Sequence, residues 1–181
     1  MTMGRLIAVV GPSGVGKDSV IAGLQAVRPH LGVARRVITR APELGNEVFD
    51  PVTEAAFARA RDRGDFVLHW GAHGLFYGIP AAVQAQVAAG QDMLANLSRG
   101  VLEQAQARFT RLTVLHLTAM DATLSLRLAG RGRETGTAIT ARLARQVDPF
   151  PDGLDVVTIP NDGPLASTVA AALAALYPDR G

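Results

Sequence analysis

Residues 11 to 20 read "GPSGVGKDSV" and place Gly11, Gly16 and Lys17 at the spacing of a phosphate-cradling loop, G-x-x-x-x-G-K-[ST]. In such a loop the backbone N–H groups of residues like Pro12's neighbours Ser13, Gly14 and Val15 surround phosphate oxygens at a helix start, and the lysine reaches the β and γ phosphates. Of the 18 basic residues, Lys17 alone is a lysine. A chain that otherwise uses arginine has kept a compact ammonium where the loop needs one. The site is therefore expected to bind ATP through residues 11 to 19.

The position after the lysine holds Asp18 instead of Ser or Thr. A bare carboxylate there would repel phosphate by ~1 kcal/mol at ~4 Å in water and ~4 kcal/mol at an effective dielectric of ~20. With Mg²⁺ between them it becomes a hard oxygen ligand, direct or through water. The alternative is that Asp18 turns aside to an arginine and leaves the metal to phosphates and water. Ser19 cannot replace it, because one helical step turns a side chain by about 100°.

The arginines supply the remaining charge. "GRGRETG" puts Arg131 and Arg133 in a Gly-flanked segment, and Arg142 follows on "TAITARLARQV". Guanidinium groups suit phosphate oxygens and developing transition-state charge, although a solvated helix face would look the same. In "VARRVITRAP", read as a strand over 33 to 42, Arg36 and Arg40 share a face and could grip an acceptor phosphate, with Arg35 on the other face. His69 and His73 have no third ligand near them, so zinc is not expected.

Elements that position these groups alternate strand and helix. "RLIAVV" is an unbroken apolar run before the loop, followed by a helix from about Lys17 to Val27; "DMLANL", "LTVLHL" and "DVVTIP" are further strands, each leading into a helix. "TEAAFARARDRG" has a Thr cap and a closing Gly, "DFVLHW" and "LFYGI" flank a "GAHG" turn, and Pro80 opens the helix "PAAVQAQVAAG". The pattern predicts an α/β fold with a mostly parallel sheet covered on both faces. One domain over 1–181 is expected: a core of 1–32, 81–129 and 147–181, an acceptor-binding insert at about 33–80 and an Arg-rich lid at about 130–146.

Composition narrows the partners. A net charge of +2, spread along the chain, argues against nucleic acid, and the 48% of hydrophobic residues never gather into a membrane-length run. With no cysteine and no leader expected before the first strand, a cytoplasmic protein is anticipated. A homodimer is left open.

Taken in order, "GPSGVGK", "ITRAP", "GLFYG", "GRG", "ARL" and "PNDG" resemble the guanylate kinase family over nearly the whole chain. That resemblance implies Arg40 and Tyr77 at the acceptor phosphate, Arg131 and Arg142 at the ATP phosphates, and Asn161 near adenine. It also places Arg36, Leu68 and Ser98 where that family reads guanine with Ser, Glu and Asp. A Leu cannot accept guanine's N–H groups, and such losses cost orders of magnitude in selectivity. "GKDS", "ITR", "FYG", "GRGRE" and the run Asn96 to Arg99 in "NLSRG" instead resemble the ribose 1,5-bisphosphate phosphokinases. This implies a sugar phosphate acceptor held by Arg36, Arg40, Tyr77, Ser98 and Arg99, with ATP and Mg²⁺, and a place in phosphonate catabolism. The competing readings are a kinase of guanylate or another nucleoside monophosphate, and a non-catalytic interaction module on the same fold.

Overall fold

The computed structural model describes residues 3–42, 47–130 and 149–178. Strand β1, Leu6–Val10, is buried at every residue. It needs no polar alternation because it lies at the centre of a five-stranded parallel sheet covered on both faces. β2 (Gly32–Val33), β7 (Met93–Asn96), β8 (Leu112–Thr118) and β9 (Asp155–Pro160) complete that sheet in the order β2-β7-β1-β8-β9. Both neighbours of β1 are reached by crossover, so the crevice at its carboxyl end is where a ligand site is expected in an open α/β sheet.

The helices are α1 (Lys17–Val27), α2 (Glu54–Asp62), α3 (Ala82–Ala88), α4 (Leu102–Arg108), α5 (Asp121–Gly130) and α6 (Leu165–Leu176). One face of β1, Ile7 and Val9, packs with Val20 and Leu24 of α1 and with Val169 and Leu176 of α6. The other face, Leu6, Ala8 and Val10, packs with Leu102 and Ala105 of α4 and with Leu68 and Ile79. Leu24 is fully buried, and truncating such a leucine to Ala costs about 2–5 kcal/mol. α2 starts where the sequence marks it: Thr53 Oγ1 accepts from the Ala56 N–H at 3.2 Å.

A second sheet has the order β4-β3-β6-β5, from β3 (Val37–Ile38), β4 (Asp50–Pro51), β5 (Phe66–Ala72) and β6 (Leu75–Pro80). Three local expectations are corrected. Residues 33 to 42 are not one strand, because the backbone changes partners within them: Ala34 N donates to Leu94 O of the main sheet, whereas Arg36 O accepts from Asp50 N of the second. The hairpin turn is confined to His73 and Gly74, at φ 53° and 72°, the left-handed pair of a two-residue turn, while Gly71 and Ala72 stay in β5. Pro80 ends β6 opposite Phe66 instead of opening α3. The helix expected over "TAITARLARQV" lies outside the described residues.

Candidate active site

The loop between β1 and α1 is held from inside by its own backbone. Val15 N donates to Pro12 O at 3.2 Å, and Gly16 caps α1 at φ 95°, a conformation costly for any residue with a Cβ. A Cβ on Gly16 would also come within 2.8 Å of Asn161 Nδ2. Lys17 Nζ donates to Gly11 O at 2.9 Å and Pro12 O at 3.4 Å, so the ammonium lies across the loop.

From behind, the carbonyl of Val15 accepts from Asn161 Nδ2 at 2.7 Å and from Arg127 Nη1 at 3.2 Å. Arg127 Nη2 donates to Asn161 O at 2.7 Å, and the Thr168 hydroxyl donates to Asn161 Oδ1 at 2.6 Å. Asn161, 4% exposed, thus uses both ends of its amide on protein partners and fixes the loop. Beside it a cavity of about 420 Å³ opens along Gly14, Gly16, Ser19 and Arg127.

Asp18, one helical step of about 100° from Ser19, lines a different cavity. Its Oδ1 accepts from Asn96 Nδ2 at 2.7 Å, so its hydrogen-bond partner among the described residues is an amide and not an arginine. Asp18 and Asn96 line a second cavity of about 370 Å³, which extends past Ala34 and Arg35 to Glu47.

Glu47 joins this cavity to the arginines. Arg36 donates through Nε and Nη2 to the two carboxylate oxygens of Glu47, and Arg40 Nη2 stands 3.8 Å from one of them. Arg36 lies over the Tyr77 ring at 5.0 Å and Arg40 over Phe49 at 4.3 Å. Tyr77 stacks on Trp70 across the β5–β6 hairpin, with ring centroids 5.3 Å apart. Arg40 Nε is buried without a hydrogen-bond partner, an unmet donor in a cationic pocket. One carboxylate between two guanidinium groups leaves the cluster net positive. Arg35 pairs outward with Asp50 at 2.6 Å on a half-exposed surface. Leu68 is fully buried in the core and offers the pocket no polar atom.

Ser98 precedes a 3₁₀ turn, Arg99–Val101, and Arg99 reaches across the carboxyl end of the sheet. Its guanidinium lies 3.8 Å from the centroid of Phe150, and its Nη2 is 3.1 Å from His116 Nε2. Arginine only donates, so Nε2 is the acceptor and Nδ1–H donates to Thr158 Oγ1 at 3.3 Å. Burial, and then the Arg99 charge, hold the His116 pKa below its usual value and keep the ring neutral.

The structure therefore brings Arg36, Arg40 and Tyr77 together, and sets Lys17, Asp18 and Asn161 around the loop. Ser98 and Arg99 stand at the end of β7, and Arg131, Arg133 and Arg142 lie outside the described residues. Sequence reasoning did not single out Glu47, Arg127 or His116, which no motif spacing marks. Asn96 had a usable signal: one polar residue closing the buried strand "MLAN", next to the strand that feeds the loop.

A phosphate loop on a parallel sheet, facing an arginine-lined second sheet, defines a P-loop kinase of guanylate kinase-like fold. The guanylate kinase of Anaplasma phagocytophilum superposes with a TM-score of 0.71 over 99% of this chain and 89% of its own, at 18% identity. No protein-family model matches the chain. A ribose 1,5-bisphosphate phosphokinase PhnN of Ruegeria sp. (strain TM1040) is 47% identical over 178 residues, 98% of this chain and 94% of its own. Another, from Pseudomonas fluorescens (strain SBW25), is 44% identical over 96% of this chain and 95% of its own. The chain belongs to the ribose 1,5-bisphosphate phosphokinase PhnN family.

Proposed function

We propose that this chain transfers the γ-phosphoryl group of ATP to the 1-phosphate of ribose 1,5-bisphosphate, giving 5-phospho-α-D-ribose 1-diphosphate (PRPP) and ADP. Identity of 47% across 98% of the chain to a kinase of that name carries the reading. The paired guanidinium groups of Arg36 and Arg40 agree with an acceptor recognised by phosphate.

A phosphate oxygen of the acceptor attacks the γ-phosphorus, the bond to the β,γ-bridging oxygen breaks, and ADP leaves with that electron pair. The attacking oxygen is already ionised, so no general base is required, and the protein's work is positioning and charge. The N–H groups of residues 11 to 19 and Lys17 hold the ATP phosphates. Asn161 and Arg127 keep the loop in shape through the Val15 carbonyl, beside the cavity we assign to adenine. Arg36, Arg40 and Tyr77 hold the attacking phosphate, and Ser98 and Arg99 face the rest of the acceptor. The family resemblance gives Arg131 and Arg142 the ATP phosphates, and Arg133, in the same Gly-flanked segment as Arg131, joins them.

Mg²⁺ fits the donor set. Among the described residues no group of three or more acidic or histidine side chains forms a protein cage. Mg²⁺ ordinarily keeps waters and substrate phosphates and takes one or two carboxylates, and Asp18 with one oxygen fixed by Asn96 meets that need. Bound there it would neutralise charge on the transferring phosphates. We place the enzyme in a reduced cytoplasm on its cysteine-free composition; no helix among the described residues is long and apolar enough to cross a membrane.

The test is ADP release from MgATP with a panel of acceptors. Turnover with ribose 1,5-bisphosphate, and little with GMP or other nucleoside monophosphates, is expected. Comparable turnover of GMP would make the chain a nucleotide kinase, and no turnover with any acceptor would favour a non-catalytic role.

A further inference from the structure

In P-loop enzymes the residue after the loop lysine is commonly Ser or Thr, whose hydroxyl reaches Mg²⁺, and an aspartate elsewhere in the core supports the same ion. Here the first position is Asp18. Asn96 closes β7, which pairs in parallel with β1 in the register Val9↔Asn96. Val9 and Leu94 lie in the core beneath α1, so the same register turns Asn96 to the α1 face, under the loop helix. Only 8% of Asn96 is exposed, and its Nδ2 donates to Asp18 Oδ1 at 2.7 Å.

We propose that Asp18 and Asn96 are a reciprocal exchange of the usual pair: the carboxylate has moved from the strand end to the loop, and a neutral amide has taken the strand position. Each arrangement carries one negative charge at the metal position, so the exchange conserves what a divalent cation sees. The intermediate combinations are poor. Carboxylates at both positions would stand within hydrogen-bond distance and repel each other. A hydroxyl with an amide would leave the cation no charge. Asn96 also solves a geometric problem that Asp18 creates. By holding Oδ1 it fixes the carboxylate's rotation and leaves Oδ2 for the cation or its water. Asn96 is accordingly a positioning residue, and Asp18 the residue that meets the ion.

This inference rests on the MgATP part of the proposed function and not on the identity of the acceptor, so its test omits the acceptor. Mg²⁺ affinity of the enzyme–ADP complex is measured by calorimetry for the wild type, Asp18→Ser, Asn96→Asp and the double variant, with a thermal melt of each. Asp18→Ser is expected to weaken Mg²⁺ binding about 10- to 100-fold. Asn96→Asp is expected to lower the melting temperature, because it sets two carboxylates within hydrogen-bond distance of each other. The double variant is expected to return within about threefold of wild-type affinity, a coupling far beyond independent effects. Asp18→Ser binding Mg²⁺ as tightly as the wild type overturns the proposal, as does a double variant no better than Asp18→Ser. Should Asp18→Ser fail to fold, Asp18→Asn with Asn96→Asp exchanges the same atoms and carries the same requirement of recovery. A wild type that shows no Mg²⁺-dependent ADP binding would overturn the inference and the nucleotide reading together. Failure with the sugar acceptor alone would touch only the identity of the acceptor.

Discussion

Around the loop at residues 11 to 17 charge is positioned by backbone: Lys17 lies on the carbonyls of Gly11 and Pro12, and Asn161 and Arg127 meet on the carbonyl of Val15. On the second sheet charge is positioned by side chains against side chains, with Glu47 between Arg36 and Arg40, and Trp70 stacked on Tyr77. A site made of backbone needs glycines at fixed places and tolerates little change. One made of side chains can be rewritten a residue at a time. That difference suits a chain that shares a fold with a guanylate kinase at 18% identity while carrying paired guanidinium groups on its second sheet and an apolar, fully buried Leu68 in β5.

Perturbing the two regions should separate them, and the largest effect falls on the loop. Lys17→Met removes the loop's own ammonium, and kcat is expected to fall by about 10²–10³-fold in steady-state ADP release, whichever acceptor is used. Arg40→Ala should instead reduce kcat/KM for the acceptor roughly 10- to 100-fold, leaving the affinity for MgATP, measured by calorimetry, close to wild type. Equal losses of both affinities would erase the distinction drawn here.

Asn161→Ala strands the Thr168 hydroxyl and takes a donor from Val15, so unfolding free energy in urea should fall by about 1–3 kcal/mol, with weaker ATP binding and an unaltered acceptor KM. The smallest effect concerns His116. Its folded pKa lies below the unfolded value of about 6.5. Between the two the unfolded chain binds a proton that the folded chain refuses, so stability is full above about pH 6.5 and falls as the pH drops through the folded pKa. The urea midpoint of the wild type should therefore decline slightly more between pH 7.5 and pH 5.5 than that of His116→Gln; an equal decline would mean that burial and the Arg99 charge do not hold the ring neutral.

The same contrast governs what the sequence discloses. β1, α1 and the loop are legible because apolar runs, glycine spacing and one lysine are local signals, and α1 begins and ends where they put it. The hairpin β5–β6 and the capped α2 are legible for the same reason. Glu47 is not, since its meaning comes from a fold that brings it to Arg36, 11 residues away, and no periodicity links the two. The switch of residues 33 to 38 between two sheets is equally invisible locally, because "VARRVI" has strand composition throughout and only the partners change. Resemblance implies Asn161 near adenine; its place in the fold adds a task that resemblance does not suggest, holding the loop through Val15.

The central claim is that an arginine-held phosphate, and not a nucleobase, defines the acceptor. Phosphorus NMR of the protein incubated with MgATP and an equimolar mixture of ribose 1,5-bisphosphate and GMP tests it in one tube. The account predicts a new pair of coupled diphosphate resonances from PRPP, growing with ADP while GMP persists. GDP formed in place of PRPP would contradict it.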